Sequence, residues 1–152
     1  MKGMFSRGLS LALFFVALSM DAQMDYGTIK LYNALTDQEI QDISDASTYD
    51  LNIVGDSLNI VAVPPGSVGS VTFSTTVGES RTESVAPYAF KGDVSGDFMS
   101  WLTLPNHLDV PITFTVNYWS AGGGTGSLVG DDVFTITFTK NFDLSVGRSV
   151  GP

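Results

Sequence analysis

Residues 112–119 read ITFTVNYW, and Ile112, Phe114, Val116 and Tyr118 alternate there with Thr113, Thr115, Asn117 and Trp119. Side chains of a strand point to opposite faces in turn. The spacing therefore predicts a strand with one apolar face and one hydroxyl-rich face. Residues 133–139, VFTITFT, repeat the pattern with Phe134, Ile136 and Phe138 on one side, and threonine suits the exposed side of such a sheet. These two segments are expected partners. The run between them, AGGGTGSLVGDD, reads as a flexible connection.

Upstream, the same period recurs in shorter pieces. Thr28–Asn33 alternates around Ile29 and Leu31. The segment ALTDQEIQDISDAS reads as a short strand with loops. Tyr49–Val54 and Ser57–Val63 are expected strands with Gly55-Asp56 between them, and Leu58, Ile60 and Ala62 share a face. Pro64-Pro65-Gly66 stops that run, since proline cannot donate to a ladder. Val68–Val77 follows, turns at Gly78-Glu79, and pairs back through Ser80–Val85. Helical periodicity is confined to the first residues. About seven short strands with turn signals between them predict an all-β, antiparallel sandwich of immunoglobulin or fibronectin-III type.

The chain begins differently. Lys2 and Arg7 precede LSLALFFVAL at 9–18, an uncharged run too short to span a membrane comfortably. Small residues at Ala17, Ser19 and Ala22 offer cleavage sites. Residues 1–22 are therefore expected to be a signal-peptide helix, 27–140 the sandwich, and 141–152 a tail or linker. A secreted or cell-surface location follows from that reading.

The net charge is −9, with 16 acidic residues against seven basic ones. That balance disfavours nucleic acid and anionic membrane surfaces, which attract Lys/Arg patches. The chain has no cysteine, so thiol chemistry and zinc–cysteine sites are excluded. An Asn-x-Ser/Thr sequon is also lacking.

Arg81–Trp101, RTESVAPYAFKGDVSGDFMSW, gathers charge, glycine and aromatics between the two sets of strands. Taken in order with LYNALTDQEI, LNI, VGSVTF, TFTVNYWSAGGGTG and FTITFT, it resembles an immunoglobulin-like module that recurs in secreted multidomain proteins of marine microbes. The resemblance covers about Ile29–Thr139. Leu35 stands where that module usually has Asp, Ser84 where it has Asn, and 106–111 where it has a simple glycine turn. The resemblance implies an accessory role beside sugar-binding, adhesive or enzymatic domains.

Four features invite a chemical reading. Asp93, Ser95 and Asp97 have the opening spacing of a calcium loop, but Phe98 and Leu104 replace the Gly and Glu that an EF-type loop needs. Asp93 and Asp97 then form either a looser calcium site or a pair of Gly-Asp turns, and the turn reading is preferred. Trp119 and Tyr118 are candidates for a sugar-stacking platform, since an aromatic face offers flat apolar contact. Trp119 is expected to face outward beside the glycines, and Trp101 to pack in the core. His107, Ser100 and Asp109 lack the G-x-S-x-G elbow that would expose a nucleophile. Gly122–Gly126 lacks the Lys-Ser/Thr ending of a phosphate loop and reads as a mobile end loop.

The sequence thus predicts a secreted, non-catalytic accessory module without an organic cofactor, acting as spacer or adhesion domain. Polysaccharide or a cell-surface protein is the expected partner. The alternative is a carbohydrate-binding domain centred near Trp119.

Overall fold

The computed structural model describes residues 24–141. The expected signal over 1–22 lies outside them, as does the tail beyond 141. Strands dominate, in two sheets that share one core. The first sheet holds β1 (Thr28–Asn33), β2 (Gln38–Asp42), β4 (Leu58–Val63) and β7 (Tyr88–Ala89), in the order β2–β1–β4–β7. The second holds β3 (Ser47–Asp50), β5 (Ser70–Thr75), β6 (Ser80–Glu83), β10 (Ile112–Ala121) and β11 (Thr125–Thr139), in the order β3–β11–β10–β5–β6. β8 (Asp93–Val94) and β9 (Asp97–Phe98) form a separate small hairpin. Among the described residues, no helix is long and apolar enough to cross a membrane.

The alternation read from the sequence sets the inner faces. Ile29, Leu31, Leu58, Ile60 and Ala62 from the first sheet share a buried cluster with Val71, Phe73, Phe114, Val116, Phe134 and Phe138 from the second. Burying such side chains contributes about 1.5–3 kcal/mol each. Trp101 fills the middle of this cluster at 1% exposure. Its ring meets Phe90, Phe114 and Phe138 edge-on, at centroid distances of 5.1, 5.8 and 5.8 Å.

Three expectations change. The sheets contain more strands than seven, and one pairing is parallel: β3 runs alongside β11, with Tyr49 opposite Phe138. Tyr49–Val54 does not continue as a strand. Asp50 Oδ1 accepts the Asn52 N–H at 2.9 Å and caps one helical turn, α1 (Leu51–Val54). The third change concerns the glycine run, which is no open loop. β10 and β11 extend as a hairpin until Ala121 pairs with Thr125. Gly123 and Gly124 turn the chain at φ 70° and 71°, a region costly for side-chain-bearing residues. Their N–H groups donate to Ser84 Oγ and Ser70 Oγ, both at 2.9 Å. Two serines on neighbouring segments thus pin the tip.

Asn59 explains how the central stretch is held. It lies on the face of β4 opposite Leu58 and Ile60, yet it is fully buried. Its amide nitrogen donates to the carbonyls of Gly92 (3.1 Å) and Met99 (2.9 Å). Its oxygen accepts the N–H of Lys91 at 3.0 Å. A buried amide satisfied in this way substitutes for strand pairing, and it fastens the β8–β9 hairpin onto β4.

Candidate functional site

The outward face of the second sheet is polar. Asn117 of β10 lies opposite Thr72 of β5 on one side and Asp131 of β11 on the other. Thr72 in turn pairs with Thr82 of β6. Trp119 stands at the end of this row, half-buried. Its Nε1–H donates to Thr72 Oγ1 at 3.0 Å, which fixes the ring's orientation on the sheet. Hydroxyl, amide and carboxylate groups therefore neighbour one oriented indole, a combination suited to polar ligands with a flat apolar face.

Tyr118 does not join that face. It is fully buried and points inward, as the alternation requires. Its hydroxyl donates to Asp132 Oδ2 at 2.7 Å. Burial, and then the Asp132 carboxylate, push the phenol's pKa far above its ordinary value. The platform expected from the Tyr118–Trp119 pair is thereby reduced to Trp119, because neighbours in a strand face opposite ways. Asp132 is itself fully buried. It also accepts the N–H groups of Tyr26 (3.0 Å) and Gly27 (2.9 Å), so the start of the domain is tied to the last strand. Gly130 lacks a side chain where the Tyr26 ring lies against it. This is a structural site that the sequence did not announce, since its parts lie far apart in the chain.

Asp93 and Asp97 belong to the two arms of a hairpin whose two-residue turn, Ser95-Gly96, lies between Val94 and Asp97. Ser95 and Gly96 have φ 57° and 90°, the pattern of a hairpin turn whose twist suits flanking strands. Asp93 Oδ2 accepts the Gly96 N–H at 2.6 Å. Asp97 is exposed on the returning arm, opposite Val94. Among the described residues no three His, Cys, Asp or Glu side chains converge as a group able to hold a metal ion.

The densest polar cluster centres on Glu79, in the β5–β6 turn. Its Oε1 accepts from Thr103 Oγ1 (2.5 Å) and Trp101 Nε1 (3.3 Å), and His107 Nε2 lies 3.2 Å away. Lys91 pairs with Oε2, and its ammonium also sits 4.5 Å from the Phe90 ring centroid. Burial pushes the Glu79 carboxyl up, but hydrogen bonds from Lys91, Thr103 and Trp101, with the charge of Lys91, outweigh it and hold the pKa at about 2. His107 is thereby committed to Glu79, while Ser100 shares a hydrogen bond with Ser57 at 2.5 Å.

The depressed Glu79 value fixes a pH dependence. The folded pKa lies below the ordinary glutamate value of 4.5, so the stabilisation is fully present above that pH and is lost as pH falls toward about 2. The midpoint of thermal unfolding is expected to fall more steeply over this window in the parent protein than in Glu79→Gln. At neutral pH the variant should be about 1–3 kcal/mol less stable. Parallel melting profiles across the window would show that Glu79 is not the group responsible.

No protein-family model matches the chain, and no curated protein or solved structure matches it.

Proposed function

We propose that the chain is a secreted, non-catalytic accessory module with an immunoglobulin-like sandwich, serving as a spacer or adhesion domain. The strand order supports the finer fold reading. β1, β4 and β7 correspond to strands A, B and E of that sandwich, and β5, β6, β10 and β11 to C, C′, F and G. The β8–β9 hairpin follows β7 in the chain and lies in the connection from E to F.

One observation carries the spacer reading. The described chain enters beside β11 at the Met24–Asp132 bridge and leaves that same strand after Thr139. At the usual rise per residue the two points are about 23 Å apart. With the signal removed near Gln23, a module joined after Thr139 would extend from one end of β11 while the new amino terminus lies toward the other, and the polar sheet face would be left open. That face favours the second reading, carbohydrate binding around Trp119, with Asn117, Asp131, Thr72 and Thr82 as polar neighbours.

Expression of the full chain in a bacterium with a secretory pathway tests both readings. The exported protein should begin near Gln23 by mass spectrometry and should migrate through polysaccharide affinity gels without retardation. Full-length protein kept in the cytoplasm would overturn the secreted reading. Retardation abolished by Trp119→Ala would replace the spacer with the carbohydrate-binding domain.

A further inference from the structure

A groove of about 570 Å³ crosses the outer side of the first sheet, opposite the sheet that carries Trp119. Val61 and Val63 of β4 line it. Tyr32 and Phe98 stand together on one side, their ring centroids 4.8 Å apart. Pro87 and Tyr88 from the central stretch also line it, and none of the residues lining it is charged. The volume lies within the range of ligand-binding clefts, about 300–1,000 Å³. Val61, although on the outward-facing set of β4, is only 4% exposed. The groove therefore lies over a floor that its own walls already shield from water.

The charge around it is one-sided. Phe98 N–H donates to Asp37 Oδ1 at 2.8 Å, Asp97 precedes Phe98 in the chain, and Glu39 lies opposite Tyr32 on β2. The basic residue on this side, Lys30, already pairs with Glu39 and Asp42. An anionic ligand is disfavoured there, and a cationic group at this end is favoured.

Few hydrogen-bonding groups line the groove, which argues against a sugar as occupant. Aromatic and proline rings with occasional hydroxyls suit an extended proline-rich strand. Such a strand is already ordered as a polyproline helix, and its carbonyls remain free to accept hydrogen bonds. Tyr32 and Ser67 supply hydroxyl donors.

We propose that this groove binds a proline-rich extended segment of another protein, with Lys or Arg where the segment passes Asp37 and Asp97. The site is independent of the Trp119 face and of the secreted reading. The test is fluorescence anisotropy on the full-length protein, using a labelled oligoproline of about eight residues capped by two arginines. Two controls are needed: the same oligoproline capped by two glutamates, and an arginine-capped Gly-Ser peptide. Saturable binding of the first is expected, with each control at least about tenfold weaker.

Val63 is 41% exposed, so Val63→Lys adds a cation to the groove with little risk to folding and should weaken binding about tenfold. Phe98→Ala should act likewise, while Trp119→Ala should change nothing. Absence of saturable binding would overturn the proposal. Equal affinity for the Gly-Ser peptide, indifference to Val63→Lys, or binding of a neutral oligosaccharide in place of the peptide would do the same.

Discussion

Replacing Trp101 with alanine is expected to lower stability by about 3–5 kcal/mol, a fall in Tm of roughly 10–25 °C. The ring is 1% exposed and wedged edge-on against Phe90, Phe114 and Phe138. Phe90 and Trp101 flank the β8–β9 hairpin, while Phe114 and Phe138 belong to the second sheet. The cavity left would therefore open where that connection meets the sheet, and β10 and β11 have little freedom to collapse into it. Loss of the indole N–H also removes donors to Glu79 and Thr103. Trp101→Phe should lose less, because it keeps an aromatic edge in the cluster. Urea unfolding monitored by circular dichroism measures the difference. A loss below about 1 kcal/mol for the alanine variant would show that Trp101 is not central to the core.

The second large effect concerns Asp132. Asp132→Ala strands the buried Tyr118 hydroxyl and the N–H groups of Tyr26 and Gly27, at an expected cost of roughly 2–4 kcal/mol. The double variant Tyr118→Phe/Asp132→Ala should be more stable than Asp132→Ala alone, by about 1 kcal/mol, because the orphaned hydroxyl is gone. Strict additivity of the two substitutions in chemical denaturation would contradict this account. The start of the domain should also loosen in Asp132→Ala, and hydrogen exchange at Tyr26 and Gly27 reports that directly.

Much of the strand pattern can be read from side-chain period alone. ITFTVNYW and FTITFT alternate cleanly because each lies across a half-buried sheet, where one face must be apolar and the other need not be. TIKLYN falls on β1 for the same reason. Tyr49–Val54 misleads because its apolar residues fit a strand, whereas the N-cap bond from Asp50 turns the chain into α1. The glycines at 122–124 suggest mobility by composition. Their fixed geometry comes from Ser70 and Ser84, which are distant in sequence.

Site residues were harder to read. Period alone places Trp119 on the outward face, where it is half-buried. The Glu79 cluster was not legible, because its members come from the β5–β6 turn and from 91–107, and no local pattern joins them. Asn59 carried one available signal: a polar residue inside an otherwise apolar strand, LNIVAV. The groove had none, since Tyr32, Tyr88 and Phe98 meet only when three separate strands come together.

The tie between Tyr26, Gly27 and Asp132 spans 106 and 105 residues. Its consequence lies in the order of events during synthesis. β1 to β9 leave the ribosome before either β10 or β11 exists, so β5 has only β6 beside it and the first residues of the domain have no carboxylate to bind. Pairings this distant in sequence also fold slowly. A nascent chain of this kind cannot close its core early. Its two inner faces meet only once β10 and β11 have been made.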